Sequence, residues 1–426
     1  MMLDRTISPD FQTIKHIHIP AAQVYTFENG VPLYAINAGE QPVVKVEFSF
    51  NAGNWQEPQN GVSLFTVKMI NEGTSKYSSA EISEYFDKFG AFTESGQGLD
   101  RANFVVYVLK KHLPAILPMV KELLEDAIFP EGELETFKNI QLQTLQVNAE
   151  KTSFMANKIF RKTIFGETHP YGNSLTEEAI ATINQDAIKD FYQQYWVRKP
   201  FRIFLSGNIE DTDIQLFEEH FGKQPLEQTS VNQSGNTAIN IKSENILIEK
   251  DGAMQSSIRI GKQMMTRQHP DFFTMLLLNE ILGGYFGSRL MKNIREDKGF
   301  TYGISSNLAL FSRAGYFVIG TDVKKEFTQK TIDEIHKEIG LLQTKLISES
   351  ELETVKNYMA GSFAGSLNTP FDIADRYKVI FTENLSLDFY KNYIENIQKI
   401  SNVMLLEAAN KYLQIDSLSE VVVGGK

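Results

Sequence analysis

Strict alternation marks the first clear element of the chain. Val44, Val46, Phe48 and Phe50 alternate with Lys45, Glu47 and Ser49, the two-residue period of a half-buried strand over Val43 to Phe50. After the turn-rich stretch Asn51 to Asn60, helical spacing runs over Gly61 to Ile70 and Ser79 to Phe89. Strands follow at Ala91 to Ser95 and Asn103 to Leu109. The pattern is then helical from Leu113 to Phe165 and from Gln185 to Trp196, before a last strand at Phe201 to Ser206. Strands that neighbour one another without a crossover helix favour a mixed, mostly antiparallel sheet with helices packed on one face, which is an α+β arrangement. The segments Glu81 to Phe86 and Glu351 to Met359 read as amphipathic helices with their charges outward, scaffold rather than site.

The pattern occurs twice. ELETFKN at Glu133 to Asn139 recurs as ELETVKN at Glu351 to Asn357, an offset of 218, and the helix-then-strand Gln185 to Gly207 recurs as Asn402 to Gly424 at nearly that offset. Two independent anchors at one displacement mean two domains of one fold. Between them Gly222 to Asn240 is rich in Gln, Ser, Asn and Thr, the composition of a linker. The expected division is a first domain over 1–222, a linker over 223–240 and a second domain over 241–426.

Composition narrows the function classes. With 426 residues and 42% hydrophobic content, the chain has ample material for two cores. A net charge of −11 argues against nucleic acid, which attracts basic patches. No run approaches the roughly 18 apolar residues of a membrane span, and Met1 to Lys15 has no signal-peptide apolar core. The default compartment is the cytoplasm, although a chain with 0 cysteines also suits the periplasm once a leader has been removed.

Candidate chemistry is concentrated in GGYFGSRLMKNIREDKGFTYG, Gly283 to Gly303. A basic helical segment from Arg289 to Arg295 is followed by the turn Asp297 to Gly299 and by Tyr302 on a strand. Arg295 at the helix end and Tyr302 across the turn can point at one spot, offering a fork of donors and a hydroxyl to a peptide carbonyl or carboxylate. The same residues also fit a helix C-cap and a half-buried core tyrosine. The seven histidines include no pair at i, i+3 or i, i+4, so no helix presents two imidazoles to one metal. His16 and His18 share a side of an expected strand, and His169 in HPYG reads as structural. There is no G-x-S-x-G elbow, and Gly96 to Gly98 is too short for a phosphate cradle.

The order GG-x-FGSRL-x-x-x-IRE-x-x-G-x-x-Y resembles the C-terminal half of the M16 peptidases, the pitrilysin and insulinase family, and especially its short bacterial M16B-type subunits. The resemblance implies two LuxS/MPP-like domains facing one another. It also implies roles for Arg295 and Tyr302 in substrate binding and transition-state stabilisation. A second stretch, GVSLFTVKMINEGT at Gly61 to Thr74, holds the place where active relatives carry His-x-x-Glu-His between the same flanking glycines. That spacing puts two imidazoles on one helix face to bind zinc, with the glutamate polarising the bound water. Here the histidine positions are Leu64 and Lys68, the glutamate position is Val67, and the family's distal glutamate ligand falls on Thr144. No carboxylate lies between Lys138 and Ala149. The strand that pairs with substrate in relatives corresponds to Ala91, Phe92 and Thr93, where a plain edge strand is the competing reading.

The resemblance therefore implies a chain without zinc of its own. The expected function is the non-catalytic subunit of a heterodimeric zinc peptidase, with Arg295 and Tyr302 reaching the zinc site of a partner that bears His-x-x-Glu-His. A homodimer is not separated from this by sequence. The alternatives are an inactive homologue that acts as a scaffold or peptide-binding protein, and an enzyme with an unrecognised site.

Overall fold

The computed structural model describes residue 14, residues 16–227 and residues 242–426. In the first half the chain forms β1 (Gln23–Thr26), β2 (Pro32–Asn37), β3 (Val43–Phe50), α1 (Val62–Lys68), α2 (Ser79–Lys88), β4 (Phe92–Gln97) and β5 (Ala102–Leu109). It continues through α3 (Leu113–Asp126), α4 (Glu131–Ala149), α5 (Thr152–Phe165), α6 (Glu177–Thr182), α7 (Gln185–Tyr195), β6 (Phe201–Gly207) and α8 (Asp211–Phe217). The second half comprises β7 (Asn245–Glu249), β8 (Gln255–Met264), α9 (Phe272–Asn279), β9 (Thr301–Leu310) and β10 (Gly315–Lys324). These are followed by α10 (Thr328–Thr344), α11 (Glu349–Gly365), α12 (Pro370–Glu383), α13 (Tyr393–Gln398), α14 (Asn402–Tyr412) and β11 (Ser419–Gly424).

The duplication is visible in the topology. The first sheet has the order β1-β2-β6-β3-β5-β4 and the second β7-β11-β8-β10-β9, so without β1 the two orders coincide. In both, the late strand lies parallel to the first strand of its repeat, while the other pairings are antiparallel. β1, β2 and β7 lie outside the elements that alternation picked out: β1 is exposed at both ends and β2 is a nearly continuous buried run. His16 and His18 lie outside any strand, which corrects the expectation that they share a strand face; the first strand starts at Gln23. Most of the expected linker, residues 228–240, lies outside the described residues.

Each sheet turns one face to its own helices. Val44, Val46, Phe48 and Phe50 pack with Phe65 of α1, Ile116 and Val120 of α3, and Ile188 and Phe191 of α7 in the first core. Ile258, Ile260, Phe317 and Ile319 pack with Ile332, Ile335 and Ile339 of α10 and Leu405 of α14 in the second. The opposite faces receive a helix from the other half. Phe160 and Ile164 of α5 pack against Val421 and Val423 of β11, while Ala374, Tyr377 and Ile380 of α12 pack against Ile36 of β2. The Phe381 ring stacks on Tyr34 with centroids 3.8 Å apart.

Polar contacts repeat the exchange. Arg259 Nε on β8 donates to Asn157 Oδ1 of α5 at 2.6 Å, and Lys45 Nζ on β3 donates to Asp375 Oδ1 of α12 at 2.9 Å. Asn157 and Asp375 are 218 residues apart, the offset of the repeat. On the first sheet the contact grows into a network: Lys378 of α12 donates to both oxygens of Glu47, at 3.0 and 2.9 Å, and to Asp375 at 3.1 Å. Burial by itself would raise the Asp375 carboxyl, but the Lys378 and Lys45 ammoniums outweigh it and hold the group below its ordinary range.

Helix α1 is set by its entry. Gly61 has φ +91, a left-handed conformation that favours glycine, and a Cβ there would also push aside the Leu175 Cδ1 methyl 2.5 Å away. The Glu57 carboxylate accepts from the Gly61 and Ser63 amides at 3.1 and 3.3 Å, satisfying helix N-terminal donors. Burial nevertheless pushes the Glu57 carboxyl up to about 7, against the lowering effect of its bonds to Ser63, Gly61 and Asn54.

Two predictions follow from these carboxylates. Glu47→Ala leaves Lys45 and Lys378 to share the half-exposed Asp375 carboxylate as their counter-charge and should cost about 2 kcal/mol in chemical denaturation. The exposed control Glu94→Ala should stay within about 0.5 kcal/mol. For Glu57 the folded pKa lies above the unfolded one, so the folded state binds the extra proton. Its contribution is full below about 4.5 and is lost as pH rises through about 7. Glu57→Gln keeps an acceptor for the helix amides and removes this slope, so its stability relative to the unsubstituted chain should rise between pH 5 and 8, by on the order of 3 kcal/mol at most.

Candidate functional site

The four positions expected to have lost zinc ligands are scattered. Leu64 on α1 and Thr144 on α4 line one cavity of about 360 Å³ together with Leu145, Phe154 and Leu175. Val67 is fully buried in the first core. Lys68 points to a different cavity of about 680 Å³, on the face of the first sheet that carries Lys45, Glu47 and the exchanged α12. There Lys68 Nζ donates to the Ser95 main-chain oxygen of β4 at 2.5 Å, so its partner is a backbone carbonyl, and α1 is tied to the edge strand.

This donor set does not fit zinc. Leucine and valine offer no lone pair, a lysine ammonium repels a divalent cation, and the Thr144 hydroxyl already donates to Ile140 O within its own helix at 2.8 Å. Among the described residues no group of three or more His, Cys, Asp and Glu side chains is placed to hold a metal ion. His169 is a packing residue: it is 5% exposed, its Nδ1 accepts from the Tyr171 amide at 3.0 Å, and its ring stacks on Phe165. The neighbouring Tyr171 hydroxyl donates to Asp100, which also accepts from the Ser312 amide at 2.9 Å and joins the two halves.

Arg295 and Tyr302 are brought together. Helix α9 runs into a wider π-helical turn, Glu280–Gly284, whose Gly283 lies so close to β9 that a Cβ would come 2.6 Å from the Ser306 amide nitrogen. Arg289 then anchors the next segment through two 2.8 Å bonds to the Glu351 carboxylate of α11. The π-helical stretch Met291–Asp297 carries Arg295, and the chain reverses at Gly299, φ +65, to enter β9. The Arg295 guanidinium carbon lies 4.7 Å from the Phe286 ring centroid and 5.8 Å from that of Tyr302.

Aromatic faces hold this guanidinium in place without using its hydrogen-bond donors. Among the described residues Arg295 makes no hydrogen bond or ion pair. Tyr302 is 94% exposed, which removes the reading of a half-buried core tyrosine. It lines a cavity of about 760 Å³ on the second sheet with Arg259, Thr321 and Asn157. Asn157 also lines the cavity of Leu64 and Thr144, so the two spaces meet at one side chain of α5.

The strand that begins after Ala91 is the outermost of its sheet, and its equivalent β9 is outermost in the other. Ala91 is buried just before the strand, Phe92 is exposed, and Thr93 Oγ1 accepts from Asn71 at 3.3 Å. Each is thus an edge with a strand paired on one side only among the described residues, the geometry that strand addition uses, although Ser95 O of β4 is taken by Lys68 and Gly303 of β9 by the Thr301 and Thr321 hydroxyls. Sequence reading did not single out Lys45, Glu47, Asn157, Arg259, Asp375 and Lys378 as the walls of these cavities. The signal was available in Asn157 and Asp375, polar residues at equivalent repeat positions on otherwise amphipathic helices.

Known proteins give the same picture. The Insulinase (Peptidase family M16) family model matches residues 34–177, and the Peptidase M16 inactive domain model matches residues 182–359. The chain is 25% identical to an uncharacterized zinc protease, YmxG, of Bacillus subtilis over 89% of this chain and 94% of that one. It is 23% identical to the non-peptidase homolog YmxG of Helicobacter pylori, over 90% of each. The crystal structure of a peptidase M16 inactive domain from Pseudomonas fluorescens shares the fold, with a TM-score of 0.85 and 24% identity over 95% of this chain and 98% of that one. With two models of one family matched in tandem, the chain belongs to the M16 peptidase family, and its motif helix lacks the zinc-ligand residues.

Proposed function

We propose that this chain binds peptide without cleaving it. The observation that carries the reading is that the former ligand positions are committed to structure, Lys68 to Ser95 O and Thr144 to its own helix, while β4, tied down by Lys68, remains an edge strand beside a polar cavity. Main-chain pairing along β4, including Phe92 and Thr93, needs an edge and no metal. The likeness to a non-peptidase homolog supports the lack of cleavage.

A second reading has its own support. In the short bacterial M16B branch of the family, this chain would be the subunit that lends Arg295 and Tyr302 to a partner bearing His-x-x-Glu-His. In that assembly Arg295 holds a substrate carbonyl and the Tyr302 hydroxyl donates to the oxyanion as water attacks. The exposure of Tyr302 and the ring-held guanidinium favour it, since an unpaired tyrosine and arginine at the surface are free to enter another chain.

Mass spectrometry of peptides incubated with the purified chain should find them bound and intact, and peptides N-methylated at alternate residues should bind at least about tenfold more weakly. Cleavage by the chain alone, or stoichiometric zinc in it, would overturn the first reading. For the second, Tyr302→Phe in a reconstituted pair should assemble normally and turn over about a hundredfold to a thousandfold more slowly. Unchanged turnover would retire it.

A further inference from the structure

We propose that the cavity beneath the altered motif captures the free C-terminal carboxylate of a peptide, with its last apolar side chain inside. The inference rests on the reading that the chain holds peptide and adds which end is held and where.

The charge of the cavity is the first observation. No aspartate or glutamate lines it, in a chain whose net charge is −11. Lys158 and Arg161, one turn apart on α5, both line it, and neither has a carboxylate within ion-pair distance among the described residues, Glu178 near Lys158 being outside the cavity lining and fully exposed. Arg161 makes only long bonds, at 3.3 Å to Asn173 O and 3.2 Å to Ser174 Oγ. Two unpaired cations facing an acid-free cavity select an anion.

The remaining lining says which anion. The substitutions that exclude zinc also furnish an apolar wall, since Leu64 stands with Leu145, Phe154 and Leu175 around a space of about 360 Å³. That wall suits a hydrocarbon side chain next to the charge and gives a free phosphate nothing to pack against. Carboxamides complete the set. Asn148 accepts from Lys151 and Asn157 from Arg259, both through Oδ1, which leaves the Nδ2 of each, and the whole amide of Gln141, without a partner among the described residues. Such groups match main-chain carbonyls and amides preceding the carboxylate.

The probes are fluorescein-labelled octapeptides ending in leucine, as free acid and as C-terminal amide, titrated against the full chain by fluorescence anisotropy, with N-acetyl-leucine as competitor. The free acid should bind about tenfold or more tighter than the amide. In the double variant Lys158→Gln, Arg161→Gln the acid should fall to the level of the amide, whose own binding, unchanged, reports an intact fold. If the double variant does not fold, Lys158→Gln alone should remove part of the difference. Equal binding of acid and amide to the unsubstituted chain would overturn the inference while leaving peptide holding intact. Competition by N-acetyl-leucine as strong as by the octapeptide would instead mark a site for small carboxylates and overturn the peptide assignment. Failure of both octapeptides to bind would overturn this inference and the reading it rests on.

Discussion

The exchange of one helix between the two halves is the constraint on which the structure depends. A two-layer repeat of sheet and helices buries only one sheet face, and the strands here are buried on more than that face: β11 is buried at every position and β3 at all but its first, Lys45, Glu47 and Ser49 included. The other half supplies the missing layer, α5 to the second sheet and α12 to the first. The bulk of the stabilisation is apolar burial, but the Arg259 to Asn157 and Lys45 to Asp375 contacts favour one register of the exchange, because a displaced helix would leave the buried arginine and lysine only their longer ion pairs to Asp322 and Glu47.

That constraint also positions the functional surface. Both edge strands lie beside an exchanged helix, so the cavities next to them have one wall from each half: Asp375 and Lys378 beside β4, Asn157 beside β9. The two cavities are counterparts that have diverged. One carries a closed set of paired charges, Lys45, Glu47, Asp375 and Lys378, whereas in the other Arg259 is shared between the neutral Asn157 and a longer 3.6 Å ion pair to Asp322, beside an exposed tyrosine.

Much of this fold was legible because its strands alternate cleanly and its halves repeat. Val43 to Phe50 has the bounds that alternation gives, and the 218-residue offset identifies equivalent helices before any contact is known. Periodicity reports burial on a face and is silent about what does the burying, so the exchange is absent from the pattern. Alternation also passes over β2, where Leu33 to Ile36 are all buried, because a strand covered on both sides has no polar period. At the site, the loss of ligands at Leu64, Val67, Lys68 and Thr144 follows from residue identity, and no local signal indicates that Lys68 bonds to Ser95 O or that the Arg295 guanidinium faces Phe286. Those contacts join residues far apart in the chain or across an irregular π-helical turn.

The helix exchange makes the chain topologically clasped. Each half grips an element that belongs to the other, so separating them requires uncovering two sheet faces at once and not merely parting two surfaces. A peptide lodged between an edge strand and the opposite half's helix would therefore sit in a frame that does not gape under load, and the two halves would hold together as one particle even if the connection between them were cut.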